Sequence, residues 1–291
     1  RHRHRSIRFR REARAIHAMV PALGLIAASL LGTAPSMSTT STTVPAFDRL
    51  VVFGDSLSDN GNAGRFSNGP VWVERLAARL GLTLDPARLG GGNFAVGGAR
   101  LDPRSGPDNL RAQADLFLRL PRPKGRTLHI VYGGGNDLRA AVGSPDATTI
   151  VEAAAASLTS ILTDLVKHGA TNLLVPNLPD IGMTPEMRTL GSRAVAEAAR
   201  LTDRFNAAVD RALADLAATP GLRLYRLDVH AMADRARADP ASFGFRNVTM
   251  PCGALNGCEG YLFWDSVHPT TAAHDRLAEA AFRLIHGEPD L

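Results

Sequence analysis

The sequence has 291 residues, 33 Lys and Arg against 28 Asp and Glu, a formal charge of +5 and a pI near 9.8. With 45% hydrophobic residues, 21% charged residues and a mean hydropathy of −0.05, the composition excludes a disordered, collagen-like or multi-span membrane chain. The positive charge is concentrated in residues 1–17, where Arg1, Arg3, Arg5, Arg8, Arg10, Arg11 and Arg14 against the single acid Glu12 give +6 and leave the remainder near −1, so no nucleic-acid partner is expected for the body.

In chain order, the arginine-rich start is followed by a charge-free apolar run of 14 residues, 18–31, and then by small and polar residues to Thr43. That succession is the pattern of a secretory signal peptide, and the run is shorter than the roughly 18–20 residues that span a bilayer. Cleavage is expected between Thr33 and Thr43, which divides the chain into a leader over 1–43 and a body over 44–291. Ala13 and Arg14 follow Arg10-Arg11 where a twin-arginine signal wants apolar residues, so general secretion is the reading. The body has the length of one domain with a substantial core.

Short apolar, β-branched runs at 50–53, 127–132, 172–175 and 222–227 predict strands. Amphipathic stretches at 71–80, 109–120, 150–168, 187–218, 229–238 and 270–284 predict helices, several closed by Gly81, Gly169 or Pro220. Strands alternating with helices imply α/β architecture, a parallel sheet in a three-layer α/β/α sandwich. Chemistry in such folds collects at the carboxyl ends of the strands.

The first strand runs into Gly54-Asp55-Ser56-Leu57-Ser58-Asp59, which places a hydroxyl at the sheet edge where backbone N–H groups can face an oxyanion; taken alone, Ser56 and Asp59 read rather as helix caps. The segment Gly90-Gly91-Gly92-Asn93-Phe94-Ala95-Val96-Gly97-Gly98-Ala99 brings glycines to another strand end, as a donor site or a tight crossover. The strand over 127–132 ends in Gly133-Gly134-Gly135-Asn136-Asp137, where the Asn136 amide is an uncharged donor or part of a turn. Cys252 and Cys258, the only cysteines, read as one disulfide in an oxidising compartment, shaping the loop over 239–262. Asp265 and His268 are three apart, so the carboxylate can hold Nδ1–H while Nε2 takes a proton from a hydroxyl, and Pro269 restricts His268 to extended backbone. The other body histidines, His129, His168, His230, His274 and His286, read as structural or surface residues.

In this order, G-D-S-L-S-D, N-F-A-V-G-G-A, G-G-G-N-D and D-S-V-H-P closely resemble the four blocks of the SGNH/GDSL hydrolase superfamily, across essentially the whole exported chain. Residues 64–70 with Trp72, and Y-L-F-W-D-S-V-H-P over 261–269, look like the bacterial secreted GDSL esterases and lipases. No G-x-S-x-G elbow occurs. The resemblance implies a flavodoxin-like fold and a serine hydrolase that cleaves carboxylic esters through an acyl-enzyme without a cofactor. It assigns Ser56 as nucleophile, His268 as base and acid, and Asp265 as the residue that orients it. The oxyanion hole would be the N–H of Ser56, the N–H of Gly98 (or of Gly97, one residue away in the alignment) and the amide of Asn136. Phe243, Phe245, Tyr261, Phe263 and Trp264 fall near the His268 segment and either line an acyl pocket or pack in the core.

The expected partner is a small-molecule or lipid ester, with polysaccharide and phospholipid esters as alternatives within the same mechanism. Some superfamily members carry a C-terminal outer-membrane barrel; with the last residue at Leu291, the expectation is a free periplasmic or secreted monomer without a membrane span. Two other classes compete. Asp55, Asp59, Asn136, Asp137 and His268 would suit a metal-dependent phosphoesterase, whose activity a chelator would remove. A non-catalytic lipid or carbohydrate binding module would bind ligand but leave Ser56 unlabelled by an activity probe.

Overall fold

The computed structural model describes residues 47–253 and 257–289. The leader, its cleavage point and the boundary at residue 43 lie outside the described residues. Four strands, β1 (Arg49–Gly54), β2 (Thr127–Tyr132), β3 (Asn172–Pro176) and β4 (Arg223–Leu227), form a parallel sheet in the order β1-β2-β3-β4. All six residues of β2 are buried, which is why its sequence is a continuous run without polar alternation. β4 alternates because it is an edge.

The glycine-rich segment lies along the free edge of β1. Val52 N–H donates to Gly92 O, Phe94 N–H to Val52 O and Val96 N–H to Gly54 O, so residues 92–96 extend the sheet in parallel. A Cβ on Gly92 would collide with the Leu50 carbonyl. The glycines here therefore serve a close backbone approach.

The helices are α1 (Trp72–Arg79), α2 (Leu110–Leu118), α3 (Gly135–Ala141), α4 (Ala147–Lys167), α5 (Pro185–Leu190), α6 (Ser192–Ala217), α7 (Val229–Ala238) and α8 (Thr271–His286). α1 packs on α8, and α4 packs on α6, α3 and α2, which gives the layered α/β arrangement. α4 is long and apolar enough to cross a membrane, but Val151, Ala154, Leu158, Ile161, Leu162 and Leu165 bury its stripe in the core. The single helix expected over 187–218 is two. Thr184 caps α5 with Pro185 in its first turn, and Gly191, at φ +99°, ends it before α6 begins. The segment expected as loop over 239–262 contains a strand, β5 (Asn247–Pro251), which pairs in parallel with β6 (Tyr261–Phe263), and Cys252 and Cys258 form a disulfide between them with Cα atoms 5.1 Å apart.

Candidate active site

The turn after β1 is fixed by buried polar side chains. Gln113 on α2 pairs twice with Gly54: its Oε1 accepts the Gly54 N–H at 3.0 Å and its Nε2 donates to the Gly54 carbonyl at 2.9 Å. A Cβ on Gly54 would lie 2.7 Å from the Tyr132 carbonyl. The Asp55 carbonyl accepts from the N–H groups of Ser58 and Asp59, and its carboxylate accepts from Leu57 N–H at 3.0 Å. Asp59, fully buried, accepts four backbone N–H groups, from Gly61 and Asn62 on Oδ1 and from Ala63 and Gly97 on Oδ2. The Trp72 indole N–H donates to Ser58 Oγ at 3.0 Å, and Asn93 Nδ2 donates to the Ser58 carbonyl. These bonds leave the Ser56 hydroxyl pointing away from a rigid turn.

His268 comes to it from 212 residues further along the chain. Its Nε2 lies 2.9 Å from Ser56 Oγ and its Nδ1 lies 2.7 Å from Asp265 Oδ2. Asp265 Oδ1 also accepts the N–H groups of Val267 at 2.8 Å and His268 at 2.6 Å. Burial raises the Asp265 pKa, but the N–H and ring of His268 and the N–H of Val267 outweigh it and hold the carboxyl below its ordinary value. An ionised Asp265 accepts from Nδ1–H, which leaves Nε2 as the acceptor for the serine proton. The ring of Phe66 lies against the imidazole, centroids 5.4 Å apart, and a Cβ on Gly97 would overlap Phe66.

Asn136 sits in the first turn of α3, after Gly134 at φ +115°. Its Nδ2 donates one hydrogen to Ala99 O at 3.0 Å, and its Oδ1 accepts from Arg139 at 3.1 Å. Arg139 forms a two-pronged pair with Glu186 at 2.7 and 2.6 Å, and the Glu186 N–H donates to Ser266 O at 2.9 Å. A chain of bonds thus runs from Asn136 to the loop carrying Asp265 and His268. Gly97 N–H is committed to Asp59; among the described residues Gly98 N–H, at φ +79°, has no acceptor.

Asp137 accepts the N–H groups of Leu101 and Asp102. The oxygens of Asp59 and Asp137, which a metal site on this edge would need, are thus occupied by backbone donors. Burial pushes the Asp55 pKa up to about 7, with the charge of Asp137 adding to it. Gln113, Phe66, Arg139 and Glu186 are absent from the sequence-derived site, since each acts on a partner 47 to 202 positions away or through a helix with no motif of its own.

A cleft of about 160 Å3 opens beside Ser56, Asn136 and His268. Its wall is largely apolar, with Leu178, Ile181, Met232, Phe243, Phe245 and Leu277 among its lining residues. Of the five aromatics near His268, Phe243, Phe245 and Phe263 line the cleft and Tyr261 and Trp264 do not; Tyr261 instead lies under the Arg246 guanidinium, 5.9 Å from its centroid. His274, read from sequence as structural or surface, is buried and also lines the cleft.

Residues 50–281 match the family model of the GDSL-like lipase/acylhydrolases. The chain belongs to that family. As a GDSL acylhydrolase it is an ester hydrolase with the α/β fold of the superfamily. It is 29% identical to the phosphatidylcholine-sterol acyltransferase of Aeromonas hydrophila, over 84% of this chain and 92% of the relative. It is 29% identical to esterase EstA of Pseudomonas aeruginosa over 90% of this chain, spanning 50% of that longer protein. Among solved structures, Axe2, an acetylxylan esterase from Geobacillus stearothermophilus, shares the fold at 17% identity with a TM-score of 0.51, covering 84% of this chain and 97% of its own.

Proposed function

We propose that this GDSL acylhydrolase cleaves its ester with Ser56 as nucleophile, His268 as base and acid, and Asp265 as the group that orients His268. The carrying observation is the pair of hydrogen bonds on one imidazole, 2.9 Å to Ser56 Oγ and 2.7 Å to Asp265. Ser56 Oγ attacks the ester carbonyl carbon as its proton passes to His268 Nε2. The bond to the alcohol oxygen breaks, His268 returns the proton to that oxygen, and an acyl-Ser56 ester remains. Water then attacks this ester while His268 takes one of its protons and delivers it to the departing Ser56 oxygen, which releases the carboxylic acid.

The N–H groups of Ser56 and Gly98 and the second Nδ2 hydrogen of Asn136 stabilise the tetrahedral oxyanion. The commitment of Gly97 N–H to Asp59 supports Gly98 over Gly97. The acyl chain occupies the apolar cleft, which favours a lipid ester over a short acetyl ester. The Aeromonas relative, matched over 92% of its length, is named for phosphatidylcholine as donor and sterol as acceptor, so a phospholipid donor is the first substrate class to assay, with product analysis separating hydrolysis from transfer to an added alcohol. Export of the body as a periplasmic or released enzyme is supported by the basic-apolar-small leader and the disulfide.

Labelling with a fluorophosphonate should modify Ser56, and Ser56→Ala should abolish both labelling and hydrolysis of p-nitrophenyl butyrate; turnover by the alanine variant would refute the assignment. Mass spectrometry of the exported protein should find its N-terminus between residues 33 and 44.

A further inference from the structure

His274 occupies the first turn of α8, between Ala273 and Leu277, and all three line the cleft. The residue is 1% exposed, and neither Nδ1 nor Nε2 has a hydrogen-bond partner. Buried polar atoms in folded proteins are almost always paired, and one left unpaired is unfavourable; here both atoms of one ring are left open in an apolar wall. Several other polar groups of the wall are bonded within the protein. Asp180 accepts from Gly182 N–H, the Thr184 hydroxyl donates to Ile181 O, and Arg276 donates to Phe243 O and Glu279.

Burial pushes the His274 pKa down to about 3, with the charges of His268 and Arg75 adding to the effect. The ring is therefore neutral at working pH, with one N–H donor and one lone pair. It follows His268 by six residues, close enough for the two rings to act on one another electrostatically.

We infer that His274 is a specificity-determining residue of the cleft, selecting acyl chains that carry an uncharged oxygen function, a hydroxyl or a carbonyl, within reach of its ring. A hydroxyl accepts from the N–H or donates to the lone pair of the ring and a carbonyl accepts from the N–H, whereas a purely alkyl chain leaves the ring unpaired and a carboxylate finds no positive charge on it. The inference rests on the acyl-enzyme reading above.

The test uses p-nitrophenyl esters of octanoic, 3-hydroxyoctanoic and 7-hydroxyoctanoic acid with the full mature protein. The wild type should turn over one hydroxyoctanoyl ester with a kcat/KM at least about tenfold above octanoyl. His274→Leu should erase that preference, bringing the hydroxyoctanoyl to octanoyl ratio of kcat/KM to about one, and His274→Gln should restore part of it. A wild type that shows no preference for either hydroxy ester, or a preference that survives in His274→Leu, overturns the inference. If His274→Leu does not fold, the wild-type profile and His274→Gln still decide. Failure of the triad reading is distinct, because it would appear as turnover of all three esters by Ser56→Ala.

Discussion

The turn that carries Ser56 grows out of the main core, whereas the cleft wall around Phe243 and Phe245 rests on a small cluster of its own. Phe53, Trp72, Phe94 and Tyr132 belong to the large cluster beneath the sheet edge, and Gln113, Asp59, Asn93 and Asp137 tie the turns above it with buried hydrogen bonds. Among the described residues the wall cluster holds Ala236, Phe243, Phe245, Val248 and Ala273, with Met232 and Leu262 packed against it. Reacting atoms need fixed positions, and a dense polar network on a large core supplies them. A wall that receives acyl chains needs shape more than precision, and a few apolar side chains suffice. Substitutions on the two sides should therefore separate, with the first changing kcat and the second changing acyl preference and stability.

The largest effect is expected on the chemical side. His268→Ala should lower kcat by at least about 10^3-fold, and adding Ser56→Ala should lower it little further, because triad members act as a unit; burst and steady-state kinetics on one ester give both values. Asn136→Ala should cost about 10^2- to 10^3-fold in kcat with KM little changed. An equal loss in KM would place Asn136 in ground-state binding instead.

On the other side, Phe245→Ala should destabilise the fold by about 3 kcal/mol in denaturant unfolding, because a buried aromatic is lost from a cluster with few members to fill the gap. Its kcat/KM should fall more for long than for short acyl esters. An equal fall for all chain lengths would show that the wall also positions the catalytic loop.

A smaller effect separates the regions by pH. Burial lowers the pKa of His129 to about 4 and of His274 to about 3 from an ordinary 6.5. The unfolded chain takes up these protons first, so the stability that rests on the neutral rings is full above about pH 6.5 and is lost as the pH falls toward 4. Asp55 acts in the opposite sense. Its pKa is raised to about 7 from 3.8, so its contribution declines as the pH rises from 4 to 7. His274→Leu should therefore show a smaller drop in melting temperature between pH 7 and pH 4.5 than the wild type, and Asp55→Asn a larger one. Parallel curves for all three proteins would contradict the buried-neutral assignment.

Local signals were sufficient for the four strands of the main sheet and singled out the residues proposed here as the triad. The run over 127–132 coincides with β2 because a strand buried on both faces leaves a continuous apolar run. Ser56, Asn136 and His268 were readable because each follows a strand end or opens a helix in a distinctive string. The same reasoning overlooked α3, whose Gly133-Gly134-Gly135 start looked like a turn, and the break at Gly191, which lies inside an otherwise helical period. It also overlooked β5 and β6, since Asn247–Pro251 and Tyr261–Phe263 are too short for an alternating pattern.

By itself, the sequence determined the α/β class, the strings that hold the proposed reacting groups and the concentration of positive charge in residues 1–17, because these depend on residue type and on spacing within a few turns. Tertiary structure alone decided what holds those groups in place: Gln113 on Gly54, Phe66 on His268, and Arg139 with Glu186 between Asn136 and Ser266. It also commits the Gly97 N–H to Asp59, which supports Gly98 as the proposed donor, and it places His274, which the sequence gives as structural or surface, in the wall of the cleft. Such pairings join residues far apart in sequence, and their energy exists only once the core has brought the elements together.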